Sequence, residues 1–253
     1  MSLTLTSLGN VPMIRRDDNL ADILMGGLKE TGIELQDNDV LVIAQKIVSK
    51  AEGRMVNLNT VVPSARALLL SQETGKDARI VELLLGESRE ILRVRPNTII
   101  VEHRLGFICA NAGIDQSNVR EPDGEEYALL LPIDPDSSAK KIRKEIESRT
   151  GRRIGVMIID SHGRAWRNGT VGVCIGLSGL SGVIDERGWK DLFGYTLKIT
   201  VVGVADELAA AASLMMGQAA EGTPVVHARG FPYPLGEGSL NELIRPKSLD
   251  LFR

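Results

Sequence analysis

The sequence predicts an α+β fold. Three observations carry this reading. Segments with helical spacing of apolar residues stand among short apolar runs, two of those runs are separated by a tight turn as in a hairpin, and hairpin-like pairs mix with crossovers where a doubly wound sheet would alternate regularly. The 253 residues, 43% of them hydrophobic, suffice for one large domain or two small ones. No low-complexity linker, heptad array or fixed-period repeat marks a boundary.

In chain order, Leu20, Ile23, Leu24 and Leu28 recur at helical spacing after Asp17-Asp18, and Gly32 closes an amphipathic helix. The run Asp39 to Ala44 (DVLVIA) reads as a strand buried on both faces, which leaves the polar QKIVSKAEGR at a strand's end. Ser64 caps a helix running toward Gly75, and Asp77 starts another through Ile80, Val81, Leu84 and Leu85 to Gly86. Thr98–Glu102 and Phe107–Ala110 pair across Arg104-Leu105-Gly106.

After the strand-like ALLLP, DPDSSAKKIRKEIESRTG carries a capping Asp or Ser, apolar Ala139, Ile142 and Ile146, and Gly151 as its stop. A strand over Arg153–Ile159 then delivers Asp160, Ser161 and His162 to a loop at its carboxyl end, where sheet proteins place ligands. Tyr195–Val202 alternates as a strand. Ala205–Met216 is apolar nearly all round, predicting a deeply packed helix that ends at Gly217.

Thirty basic against thirty-three acidic residues leave a net charge of -3, which argues against generic nucleic-acid binding. The first residues form no signal peptide and no run approaches a membrane span, so a cytoplasmic protein without membrane partners is expected. Cys109 and Cys174 lie far apart in apolar contexts, as reduced buried thiols do. P-loop, GxGxxG, HExxH, CxxC and GxSxG motifs are all absent, which disfavours a standard nucleotide loop and a zinc protease. His103, His162 and His227 show no triad spacing and read as structural or solvent-facing.

Two segments carry candidate chemistry. In CANAGIDQSNV, Gly113 lets backbone approach a ligand, and Asp115 and Asn118 offer oxygen atoms; an Asx turn uses the same residues. In IIDSHGRAWRNG, Asp160 and Ser161 precede Arg164 and Arg167, which flank Trp166. This mixture suits an anionic substrate beside a hard cation such as magnesium or manganese, although a capped turn with solvated arginines also fits. Lys46 and Lys50 in QKIVSKAEGR either meet phosphate as point charges or lie on the surface.

In order, the segments NVPMI, DVLVIAQKIVSKAEGR, NAGIDQSNV, LLLPIDPD, IGVMIIDSHGRAWRNGTVGVCIG, KDLFGY, VADELAAAASLMMGQAAEGTPVV and the late RG with GEGS resemble the coenzyme F420-0:L-glutamate ligase (F420 γ-glutamyl ligase) family over nearly the whole chain. The resemblance implies a GTP-dependent amide-bond ligase that joins L-glutamate to the deazaflavin precursor F420-0, and leaves open whether further γ-linked glutamates follow. It implies a single ligase unit over 1–253 with two interleaved subdomains, an intertwined homodimer and no fused reductase domain. It also implies two divalent cations, Mg2+ or Mn2+, and leaves open a monovalent cation such as K+.

Carried over by matching segment, Asp115 and Asp160 look like ligands of one metal, and Ser161 and Gln218 of the second. Nucleotide contacts fall on Val11, Pro12, Met13, Ile14, Gln45, Lys46, Lys50 and Asn118. Met216, Gly217, Gln218, Ala219, Ala220, Glu221, Gly222 and Thr223 close over the guanine nucleotide. Lys50, Arg164 and Arg167 then neutralise phosphate oxygens or the carboxylates of glutamate. The competing readings are another nucleotide-dependent acid–amino acid ligase and a non-catalytic deazaflavin or nucleotide carrier.

Overall fold

The computed structural model describes residues 2–119 and 124–251. The chain opens with β1 (Thr4–Ser7) and α1 (Leu20–Thr31), whose Asn19 side chain accepts from the Ala21 and Asp22 amides and whose C-cap Gly32 is left-handed at φ 73°. There follow β2 (Val40–Ala44), α2 (Gln45–Ala51), β3 (Met55–Asn57), α3 (Ala65–Thr74), α4 (Ala78–Glu87), β4 (Ser88–Arg95), β5 (Thr98–His103), β6 (Ile108–Ala110) and β7 (Tyr127–Leu129). The second half holds α5 (Pro135–Thr150), β8 (Gly155–Arg164), β9 (Arg167–Ser178), β10 (Ile184–Asp185), β11 (Val201–Val202), α6 (Val204–Met216) and β12 (Val225–Arg229).

The mixed architecture agrees with the α+β expectation. A five-stranded sheet runs β1-β12-β2-β8-β9, antiparallel throughout except that β2 and β8 are parallel. Strand β2 is buried on both faces, as its unbroken apolar run requires. Leu41 and Ile43 join α1 and α5 residues in one core, and Val40 and Val42 join Ala205, Leu208 and Ala212 of α6 in another. Between Met55 and Leu129 the chain builds a smaller core, in which Ala67 of α3 and Val81 and Leu84 of α4 pack on Ile99 and Val101 of the β4-β5-β6 sheet.

Strand β9 shows why this sequence is glycine-punctuated. A β-bulge between its pairings with Ile158 and Ile159 lets Gly176 press against the first turn of α5, where a Cβ would lie 2.3 Å from Pro135 Cβ and 2.5 Å from its carbonyl carbon. Gly176→Ala is therefore expected to cost about 3 kcal/mol by overpacking. An unchanged urea midpoint would contradict this packing.

QKIVSKA follows the end of β2, as expected, and forms α2 because Ile47 and Val48 find the α1–α5 core. Three expectations need correction. IIDSHGRAWRNG is no open loop: β8 and β9 stay paired out to Arg164↔Arg167, and Trp166 turns the corner at φ 62°. Of Tyr195–Val202 only the last two residues pair as strand, since Leu192, Phe193 and Ile199 stand exposed with no core to reward alternation. Helix α6 buries one face only, leaving Leu214 83% exposed. Both cysteines are free and buried, as expected. Among the described residues no helix is long and apolar enough to cross a membrane.

Candidate active site

The site forms where the parallel pairing of β2 with β8 stops. Ala44 of β2 and Ile159 of β8 are its last register partners, so the chain delivers Gln45 and Asp160 side by side just beyond it. The third contributor arrives from the smaller core. Asn111, Ala112 and Gly113 all adopt positive φ, at 52°, 52° and 62°, which bends the chain sharply after β6. A side chain at Gly113 would strike Leu131 Cδ1 at 2.8 Å. Asp115 is then fixed by a backbone bridge to Leu129 in both directions, at 3.0 and 2.8 Å.

Around Asp115 the candidates converge. Its Oδ2 accepts from Gln45 Nε2 at 2.7 Å, and Lys46 Nζ lies 3.4 Å from Oδ1. The carboxylate thus reaches across the fold instead of closing an Asx turn. Lys46 also donates to the Ser117 carbonyl and hydroxyl, and Lys50 Nζ donates to the Asn118 carbonyl at 2.8 Å. The two lysines hold the Asp115 loop. Asn118, itself at φ 55°, passes the connection on by donating to the Ala219 carbonyl at 3.0 Å. Ser161 Oγ donates to Gln218 Oε1 at 2.8 Å, so both proposed second-metal ligands meet.

Electrostatics tie the carboxylates together. Burial and the charge of Asp160 push the Asp115 carboxyl up to about 6, against the opposing pull of Lys46 and Gln45. A buried carboxyl whose ionisation is opposed by a second carboxylate is a donor pair suited to a hard divalent cation. Among the described residues no cluster of three His, Cys, Asp or Glu forms a metal site. A cation held here would take the Asp115 and Asp160 carboxylates and neutral oxygens from the chain. That composition matches magnesium or manganese, which retain water or phosphate oxygens in their shell.

Other sequence candidates lie further out. Met216 is buried at the end of α6, and Gly217, at φ 72°, opens the turn that carries Gln218, Ala219, Ala220, Glu221 and Gly222. Thr223 Oγ1 closes that turn onto the Met216 carbonyl at 3.0 Å. The Val11–Ile14 segment runs beside α2, where Ile14 is buried with Ile47 while Met13 is 80% exposed. Arg164 and exposed Arg167 sit toward the tip of the β8–β9 hairpin, and Arg164 reaches the Asn168 carbonyl at 3.2 Å.

A family model described as F420-0:Gamma-glutamyl ligase matches residues 9–230. The chain belongs to this family. It is 48% identical to the coenzyme F420:L-glutamate ligase of Methanothermobacter thermautotrophicus, with both chains covered completely. The Methanocaldococcus jannaschii protein of the same name is also 48% identical, over 87% of this chain and 86% of its own. The Archaeoglobus fulgidus one is 43% identical over 96% and 93%.

In this member of the F420-0:gamma-glutamyl ligase family, sequence reasoning missed one residue beside the carboxylates. His162 was expected to be structural or solvent-facing, yet its Nε2 lies 3.1 Å from Asp160 Oδ2. The available signal was the two-residue spacing, which puts both side chains on one face of a strand; reading the segment as a loop hid it. His103 and His227 are buried away from solvent, as a structural role requires.

Proposed function

We propose that the chain is a GTP-dependent ligase that joins L-glutamate to F420-0 through an acyl phosphate, releasing GDP and phosphate, in coenzyme F420 biosynthesis. Membership in a ligase family supports the reaction class, and the names of its relatives support glutamate and the deazaflavin as substrates. The observation that carries the reading is the buried Asp115 carboxyl, held by Gln45 and Lys46 and facing the charge of Asp160, with Ser161, the residue after Asp160, bonded to Gln218.

A carboxylate is a poor electrophile and must be activated before an amine attacks it. In the proposed sequence a carboxylate oxygen of F420-0 attacks the γ-phosphorus of GTP, the bond to the β,γ-bridging oxygen breaks, and GDP leaves. The amine of glutamate then attacks the acyl carbon and phosphate departs. Bound divalent cations, Mg2+ or Mn2+, offset the repulsion between triphosphate and incoming carboxylate. Asp115 and Asp160 hold positive charge in place and need no acid or base role, with Ser161 and Gln218 as the weaker, neutral second set. K+ remains a candidate monovalent partner.

Lys50 supplies a point charge for phosphate, and the guanidinium groups of Arg164 and Arg167 suit the carboxylates of glutamate. Gln45, Lys46, Asn118, the 11–14 segment and the 216–223 turn surround the nucleotide in this reading. A homodimer accompanies it. Trp189, Leu192, Phe193, Tyr195 and Ile199 form an exposed apolar arm of the kind that monomers rarely leave in water.

The activation step has its own test. With F420-0, GTP and Mn2+ but no glutamate, hydroxylamine is expected to trap a hydroxamate of F420-0 with matching GDP. GDP release without hydroxamate would contradict the acyl phosphate.

A further inference from the structure

We infer that His162 is a positioning residue, one that fixes the Asp160 carboxylate for cation binding. The inference rests on the cation reading above and deepens it. Both residues project from the same face of β8, with His162 Nε2 3.1 Å from Asp160 Oδ2 and both side chains largely withdrawn from water, at 11% and 13% exposure. A carboxylate tethered through one oxygen loses rotational freedom and presents the other, which is how residues behind metal ligands raise affinity.

The imidazole is itself held. The Phe107 ring packs against it at a centroid separation of 5.2 Å and a tilt of 53°, and Phe107 stacks on His103 at 5.2 Å and 6°. His103 is fully buried. Its Nδ1 accepts from the Leu105 amide at 3.1 Å, and its Nε2 lies 3.5 Å from Glu87. Arg54 and Arg104 each hold Glu87 at 2.8 Å. A rigid series of contacts thus runs from a buried ion cluster through two rings to the histidine behind Asp160. Nothing in that series requires His162 to touch substrate.

Two substitutions separate the bond from the bulk. His162→Phe keeps a ring against Phe107 but removes the donor, whereas His162→Gln keeps an amide nitrogen three bonds beyond Cβ, as Nε2 is. With Mn2+ as the probe, followed by electron paramagnetic resonance, the Phe variant is expected to bind about tenfold more weakly. The Gln variant is expected to stay within about threefold of wild type, and both should keep the wild-type melting midpoint in chelator. In an Asp160→Asn background, His162→Phe should add no further loss, because the group it positions has gone.

Wild-type Mn2+ affinity in His162→Phe would overturn the inference, as would equal losses in the Phe and Gln variants, which would make His162 a ligand. If the Phe variant does not fold, His162→Asn decides: its amide falls short of Asp160, and unchanged affinity there overturns the proposal. Failure of the underlying reading looks different. In that case the wild-type protein binds no Mn2+, or Asp160→Asn binds it undiminished.

Discussion

Asp115→Asn is expected to raise the thermal midpoint of the chelated protein while reducing the proposed ligase activity to background. The opposition follows from the sign of one shift. Burial and Asp160 raise the Asp115 carboxyl from 3.8 to about 6, so in the absence of cation the folded protein holds this proton more tightly than the unfolded chain does. Stability then falls as pH rises from about 4 through 6, and above that an ionised Asp115 is a standing cost of up to about 3 kcal/mol. Some of this is relieved by the residual exposure of the site and by Lys46 at 3.4 Å. Asparagine removes the charge and can still accept from Gln45.

A gain of about 1 kcal/mol, or roughly 2–4 °C, is therefore expected at pH 7.5 in chelator, shrinking toward pH 4. Saturating Mn2+ should reverse the ranking, because only the wild-type chain offers both carboxylates. Differential scanning fluorimetry at two pH values, with and without Mn2+, checks the whole pattern. A variant less stable than wild type in chelator at pH 7.5 would contradict it.

Glu87→Gln is expected to act in the opposite direction and without touching the site. Burial alone would raise this carboxyl, but His103, Arg104 and Arg54 overcome that and bring it from 4.5 down to about 2. The group therefore contributes stability that is present above about pH 4.5 and lost as pH falls toward 2; a displacement of that size is worth about 3 kcal/mol. Removing the charge strands two guanidinium groups in a partly buried place, at a cost of roughly 3 kcal/mol, near the low end for a broken buried pair.

The consequences reach the site through the backbone. Arg54 also donates to the Leu131 carbonyl at 2.9 Å, and Arg104 to those of Pro132 and Ile133 at 2.9 and 2.7 Å. They hold the strand exit next to Leu129, the residue that pairs with Asp115. Denaturant melts should show the variant's deficit shrinking below pH 4.5, to roughly half by pH 3 and further toward pH 2, as the carboxyl is protonated first in the unfolded and then in the folded chain. A constant deficit from pH 7 to pH 3 would contradict the assignment.

Much of the fold was legible because local signals agreed with packing. Asn19, Ser64, Asp77 and Asp134 cap four helices, and Gly32, Gly75 and Gly151 end three of them in left-handed conformations, all readable from residue type. The unbroken apolar run of β2 likewise announced a strand covered on both faces. The misreadings share a cause in tertiary context. The glycine-rich hairpin β8–β9 looks like a loop because its strength lies in pairing and in close approach to α5 and α6, which no local pattern encodes. Tyr195–Val202 looks like a strand because its apolar residues alternate, but Tyr195, Ile199 and Val201 stand exposed with no core of the chain to pack against.

At the site, residue chemistry alone left Asp115 and Asp160 between metal ligands and turn formers. The parallel pairing of β2 with β8 sets Asp160 beside Gln45, which bonds Asp115, and pairing across more than a hundred residues is invisible to spacing. Lys50 illustrates the same limit, since its bond to the Asn118 carbonyl links α2 to a loop 68 residues further along the chain.

The most direct test of the account is the mass of the product formed from F420-0, L-glutamate, GTP and Mn2+. The wild-type chain is expected to add a glutamyl increment only when all four are present, and Asp160→Asn to add none. A glutamyl product made without nucleotide or cation, or made at the wild-type rate by Asp160→Asn, would contradict it.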